Sequence, residues 1–151
     1  MSVVPVRDQV FVSYSHKDRE WLTTLVDLLK PMVRNGSIKL WSDLDIKPGQ
    51  RWLQEIDRAL SSAKVAVLLV SANFLASEFI VNHEIPRLLN DEQLGLLKVV
   101  WMAVGSSLYE ETDLAQMQAA TDPAHPLNTL PHSSAEQELV RVAKLIKQLM
   151  K

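Results

Sequence analysis

The stretch Lys64-Val65-Ala66-Val67-Leu68-Leu69-Val70-Ser71 decides the fold. From Val65 to Val70 the apolar run has no polar break. A strand with one wet face alternates apolar and polar side chains. A strand without alternation is buried on both faces, as a central parallel strand is between helices. Just upstream, Trp52, Ile56, Ala59 and Leu60 give a helix one apolar face. Downstream, Ser71-Ala72-Asn73 ends the strand. A helical segment from about Phe74 to Asn90 follows with Pro86 inside it, and Leu96 to Val104 repeats the buried-strand pattern.

The first sixty residues carry the same rhythm. Val10 to Tyr14 is a short β-favouring run halted by Ser15-His16-Lys17-Asp18. Asp18 is placed to cap a helix whose apolar residues, Trp21 to Leu29, recur at helical spacing until Pro31 and Asn35-Gly36 break them. Ile38 to Trp41 is a second short strand, and Ser42 to Arg51 is a loop long for a simple connector. The order βαβαβαβ predicts a flavodoxin-like, doubly wound α/β sheet of four to five parallel strands flanked by helices. After Val104, Tyr109 to Ala120 reads as helical, Thr121 to His132 as an irregular loop with three prolines, and no clear fifth strand emerges. Ser134 to Lys151 is an amphipathic helix that Ser134 would cap, with Gln137 three residues on.

Composition bounds the function. At 151 residues, with 47% apolar and 23% charged side chains, the chain is expected to fold as one domain spanning residues 1–151. Sixteen basic residues against 18 acidic ones, a net charge of −2, give no broad field for nucleic acid or anionic lipid. There is no cysteine, which excludes a disulfide framework, a thiolate zinc site and a cysteine nucleophile, and fits a cytoplasmic setting. No run of 18 apolar residues predicts a membrane span, and the start lacks the features of a secretion signal.

In an open parallel sheet ligands bind beyond the carboxyl ends of the strands. The loops there offer Ser13-Tyr14-Ser15-His16, then Asp43, Asp45 and a Pro48-Gly49 turn, then Ser71-Ala72-Asn73 leading to Ser77, Phe79, His83 and Glu84. No GxxxxGK[ST] or GxGxxG occurs, so a nucleotide must be held without a glycine cradle. The strand ends lack the aspartates of a phospho-acceptor domain. No GxSxG elbow occurs, and His16, His83, His125 and His132 have no metal-ligand spacing. Plain readings stand beside these. A glutamate on an amphipathic helix is usually a solvated surface residue, Trp52 and Phe79 suit a core, and Asp43 and Asp45 suit turn capping.

Three segments together resemble the TIR (Toll/interleukin-1 receptor) domain family. Val10-Phe11-Val12-Ser13-Tyr14-Ser15 with Asp18 is similar to its first box. Trp41-Ser42-Asp43 with Asp45-Ile46-Lys47-Pro48-Gly49 is similar to its second box and BB loop. Leu69 to Phe79 is similar to its third strand and the segment beyond. The tail, with Gln118-Ala119-Ala120 and Asp122 to Leu127, looks more like bacterial members. The resemblance implies an NAD⁺ glycohydrolase or cyclase, with NAD⁺ as substrate and no separate cofactor or metal. It would be switched on by association with other TIR domains in immune or anti-phage signalling. The alternative is a non-catalytic module that signals by the same association. Many TIR domains are also parts of longer chains.

The resemblance implies that Glu84 is the catalytic carboxylate. Tyr14, Ser15 and His16 would lie beside the nucleotide, with Asp43, Ser77 and His83 bordering it and Trp52 or Phe79 stacking on a flat ring. Asp45 to Gly49 would form the lid and assembly loop. Many active relatives place a tryptophan four residues before the glutamate. Here the aromatic is Phe79, His83 stands four residues on and Glu84 five. Pro86 suggests that the helix breaks around Glu84, leaving the carboxylate just ahead of a helix N-terminus that favours its anion.

Overall fold

The computed structural model describes residues 6–151; residues 1–5, counted in the single-domain expectation, lie outside the described part. Four parallel strands form the sheet, β1 (Gln9–Ser13), β2 (Lys39–Trp41), β3 (Ala63–Val70) and β4 (Lys98–Ala103), in the order β2-β1-β3-β4. The reversal of strand order falls at β1, between β2 and β3. Val10 pairs with Leu40 on one side and Val65 on the other, and Val65 pairs in turn with Lys98. Every side chain of β3 from Val65 to Val70 is fully buried, as its unbroken apolar run requires.

Helices cover both faces. On one, Val10, Val12 and Tyr14 pack with α1 (Arg19–Arg34) and α5 (His132–Leu149). On the other, Phe11, Ala66 and Leu68 pack with α2 (Trp52–Ser62), α3 (Ala72–Ala76) and α4 (Ile85–Gln93). At the amino ends of the strands Arg7 donates to the carbonyls of Leu60 and Ala63 and pairs with the buried Asp91 at 3.1 Å.

Several local expectations need correction. Helix α1 runs through Pro31 to Arg34; the proline lies on its exposed face in the last turn, so the lost N–H and the crowding of the Asp27 carbonyl leave the packed face of Leu22, Leu25 and Leu29 intact. Asp18 makes no cap; its carboxylate accepts from Ser71 Oγ and from Asn73 Nδ2, tying the loop after β1 to the end of β3. Helix α5 starts at His132, with the Ala135 N–H donating to the Pro131 carbonyl, so Ser134 lies inside the helix rather than capping it. Instead of one helix, residues 109–116 form two 3₁₀ turns, with the hydroxyl of Thr112 capping the second. The chain then runs beside β4. The Ala120 N–H donates to the Trp101 carbonyl, the Ala103 N–H to Thr121 Oγ1 and the Asn128 N–H to the Val104 carbonyl. Irregular chain thus satisfies the edge that a fifth strand would cover, and among the described residues the sheet has four strands.

The segment expected as one helix from Phe74 to Asn90 is interrupted at Ser77 and then runs helically through residues 78–93. Glu84 has helical angles (φ −82°, ψ −52°), so there is no break there and no free helix N-terminus to favour its anion. The chain instead widens into a π turn over Ile80–Glu84, closed by a bond from the Ile85 N–H to the Ile80 carbonyl. Pro86 explains the widening. It has no N–H for the Asn82 carbonyl and its ring would crowd that carbonyl in a regular α turn.

Candidate functional site

Alternation along β1 sends Phe11 and Ser13 to the face where α2 and α4 lie and Tyr14 to the other, and the chain then turns over the strand end. Beyond the carboxyl ends of β1 and β2 a cavity of about 630 Å³ opens. Its floor and far wall come from Phe11, Trp41 and Ile56, and the rings of Phe11 and Trp41 stack at 5.5 Å and 7°. Tyr14, Ser15, His16, Asp43, Trp52, Ser77, Phe79 and Glu84 all line it. His83 does not, and of the BB-loop residues Ile46 alone does; Asp45, Lys47, Pro48 and Gly49 stand outside the lining.

Asp43 is clamped. Tyr14 Oη donates to its Oδ1 at 2.7 Å, and His16 Nε2 lies 2.5 Å from its Oδ2. Burial and this acidic neighbour push the Tyr14 phenol well above its ordinary pKa, so it remains a donor. The loop that follows is built by turn chemistry. The Ser42 N–H donates to the Asp45 carboxylate at 2.9 Å, and the Gln50 N–H donates to the Lys47 carbonyl across Pro48-Gly49. Gly49 takes φ +89°, the positive angle a type II turn demands at that position.

The aromatic wall is layered. Trp52 is 55% exposed at the start of α2, which rules out a core role, and meets Phe79 edge-on with centroids 5.2 Å apart. Phe79 in turn stacks on His83 at 4.9 Å. The His83 ring points away from the cavity to Asp57 Oδ1 at 2.8 Å, while Arg87 reaches the same carboxylate and Ser61. This cluster pins the π turn to α2.

Glu84 is only 6% exposed, and its small accessible part faces the cavity. The π turn accounts for its position. Five residues there occupy the arc that four occupy in an α-helix, so Phe79 and Glu84, five apart, share one wall while His83, four on, is turned aside. The one-residue offset read in the sequence is thus absorbed by local geometry. Burial raises the Glu84 carboxyl from its ordinary 4.5 to about 7, the neighbouring Ser13 hydroxyl opposes the rise, and the charge of Asp43 adds to it. Near neutral pH the group is divided between acid and anion.

Two polar residues to which the sequence reading assigned no role, Ser13 and Lys17, also line the cavity. Ser13 is 2% exposed, and its hydroxyl makes no hydrogen bond. Lys17 is the one lysine or arginine among the lining residues. The alternation of β1 places Ser13 on the Phe11 face, which was the available signal; for Lys17 there was none beyond its place in the loop. No cluster of three or more His, Cys, Asp or Glu side chains that could hold a metal occurs among the described residues. No helix among them is long and apolar enough to cross a membrane.

Residues 10–125 match the family model described as TIR domain. An uncharacterized protein of Sinorhizobium fredii, y4lF, is 26% identical over 139 residues, covering 92% of this chain and 42% of that protein. The chain therefore spans less than half the length of that relative. Among solved structures, the TIR domain of the Toll-related receptor TRR-2 from Hydra magnipapillata aligns with a TM-score of 0.53 at 19% identity, over 95% of this chain and 99% of that one. The TIR domains of the activated Roq1 resistosome, which directly recognizes the pathogen effector XopQ, align with the same TM-score and identity over 91% and 84%. At that identity both likenesses concern the fold.

Proposed function

Because this chain belongs to the TIR domain family, we propose that it cleaves the bond between nicotinamide and ribose in NAD⁺, with Glu84 as the catalytic carboxylate. The observation that carries this reading is a glutamate buried in an aromatic-walled cavity beyond the strand ends, its carboxyl facing the space. Trp52 and Phe79 offer faces and edges to the flat nicotinamide ring. Tyr14, Ser15 and His16 border the rest of the dinucleotide. With no glycine cradle, Lys17 supplies charge for the pyrophosphate.

The chemistry asks little of the protein. When the C1′–N bond breaks, its electron pair goes to the pyridinium nitrogen and nicotinamide leaves neutral, so no general acid is required. Positive charge develops on the ribose, and the Glu84 carboxylate stabilises it from a site where little water screens the interaction. Water then adds to C1′ and gives up a proton, forming ADP-ribose; attack by the substrate's own adenine instead gives a cyclised product. A cationic substrate beside Glu84 also draws its carboxyl toward the anion.

In this reading the domain works in the cytoplasm and is activated by association with other TIR domains in defence signalling. Leu44, Trp52 and Leu53, 45%, 55% and 42% exposed on the segments that supply Asp43 and Trp52 to the cavity, favour such association. The same residues support the second reading, a module that associates and does no chemistry. Chromatographic measurement of nicotinamide and ADP-ribose products over a wide range of protein concentration separates the two. Turnover per molecule that rises steeply with concentration and is absent in Glu84→Ala and Glu84→Gln supports the enzyme. No nicotinamide release from clustered wild-type protein supports the module.

A further inference from the structure

Ser13 sits at the last position of β1 on the face shared with Phe11, where the neighbouring strands supply only apolar side chains. It is 2% exposed, and of the buried side-chain polar atoms among the described residues its Oγ is the one without a hydrogen-bond partner. A buried hydroxyl left unpaired costs free energy that an alanine of nearly the same size would not. The atom nevertheless lines the cavity beside Glu84. It already opposes part of the effect of burial on that carboxyl, although the geometry stops short of a formed bond. A protonated carboxyl makes a weak call on this donor, whereas a carboxylate makes a strong one.

We propose that Ser13 is a positioning residue for Glu84: once the carboxyl ionises, the Ser13 hydroxyl donates to one of its oxygens and leaves the other free for the ribose. The inference deepens the function proposed above and rests on it for the ribose, but the Ser13–Glu84 contact itself does not depend on any substrate. The other titratable groups on this cavity are Tyr14, His16 and Lys17 from β1 and the loop after it and Asp43 from the loop after β2. Tyr14 and His16 are both engaged with Asp43, and no carboxylate other than Asp43 and Glu84 lines the space. Ser13 is thus the hydroxyl beside Glu84 with nothing else to bond.

The test follows the carbon-13 shift of the Glu84 side-chain carboxyl against pH in the full chain without NAD⁺, assigned by its disappearance in Glu84→Gln. The midpoint should rise by about one pH unit in Ser13→Ala and return toward wild type in Ser13→Thr, which keeps the donor. At about pH 5, where the folded Glu84 carboxyl is protonated and no bond to Ser13 is formed, Ser13→Ala should unfold at the same denaturant concentration as wild type or a higher one. In parallel, the acid limb of kcat/KM for NAD⁺ should move upward with the titration, leaving Ser13→Ala about fivefold slower at pH 7. An unmoved Glu84 titration in Ser13→Ala overturns the inference. A shifted titration in a protein that releases no nicotinamide leaves the Ser13–Glu84 contact standing and removes the proposed enzyme.

Discussion

Replacing Glu84 with glutamine should stabilise the protein above neutral pH and have a much smaller effect near pH 5. The reasoning runs through proton linkage. In the unfolded chain the Glu84 carboxyl titrates at its ordinary 4.5, and in the folded protein burial raises it to about 7. Between those values the folded state holds a proton that the unfolded state has released, so stability falls as pH rises through the window. Each pH unit is worth at most about 1.4 kcal/mol, and the whole window costs the native state on the order of 3 kcal/mol at alkaline pH. Against a typical domain stability of about 5–15 kcal/mol this is a large share. Glutamine has nearly the same shape and no charge to desolvate. Urea unfolding of both proteins at intervals from about pH 5 to about pH 9 reads the effect, since the difference between them cancels every other titrating group. That difference should open from under about 1 kcal/mol near pH 5 to about 3 kcal/mol in favour of Glu84→Gln and level off above pH 8. Parallel curves, or a wild type that gains on the variant as pH rises, would refute the buried, proton-holding carboxyl.

Other consequences concern the neighbours. Asp43→Asn removes a negative charge that contributes to raising Glu84, so the acid limb of kcat/KM should move to lower pH, while ultraviolet titration should show the Tyr14 phenol ionising more readily. Trp52→Ala should raise KM for NAD⁺ by roughly 3- to 10-fold through lost ring contact, with thermal unfolding nearly unchanged because the side chain is more than half exposed. Arg7→Met leaves the buried Asp91 carboxylate without its partner and should cost about 3 kcal/mol in denaturant unfolding, with no direct effect on the cavity at the opposite sheet end.

What the sequence disclosed and what it hid divide along physical lines. The apolar run of β3 could only be a strand buried on both faces, and the alternation of helix and strand around it led to the observed parallel sheet. The turn at Pro48-Gly49 was legible because only a few residue types reach the positive φ it needs. Glu84 was singled out through family resemblance, since periodicity alone assigns a helical glutamate to solvent. It is buried because a π turn shifts the register by one residue, and such a turn depends on how Pro86 and the His83–Asp57 contact settle in three dimensions. Asp18 carries the side chain of a helix cap yet is recruited by Ser71 and Asn73, more than fifty residues away. Ser13 looked like the polar end of a strand, and its want of a partner is visible only once every neighbour is placed.

The most direct test of the account is the time course of nicotinamide release from NAD⁺ near pH 8, where the Glu84 carboxyl is mostly ionised, by concentrated wild-type protein and by Glu84→Gln shown to be folded. The account predicts release by the wild type and a fall of at least about a hundredfold in the variant, the scale on which a lost transition-state electrostatic contact is felt. Equal release by both proteins would contradict it, because the buried carboxyl would then have no part in the chemistry.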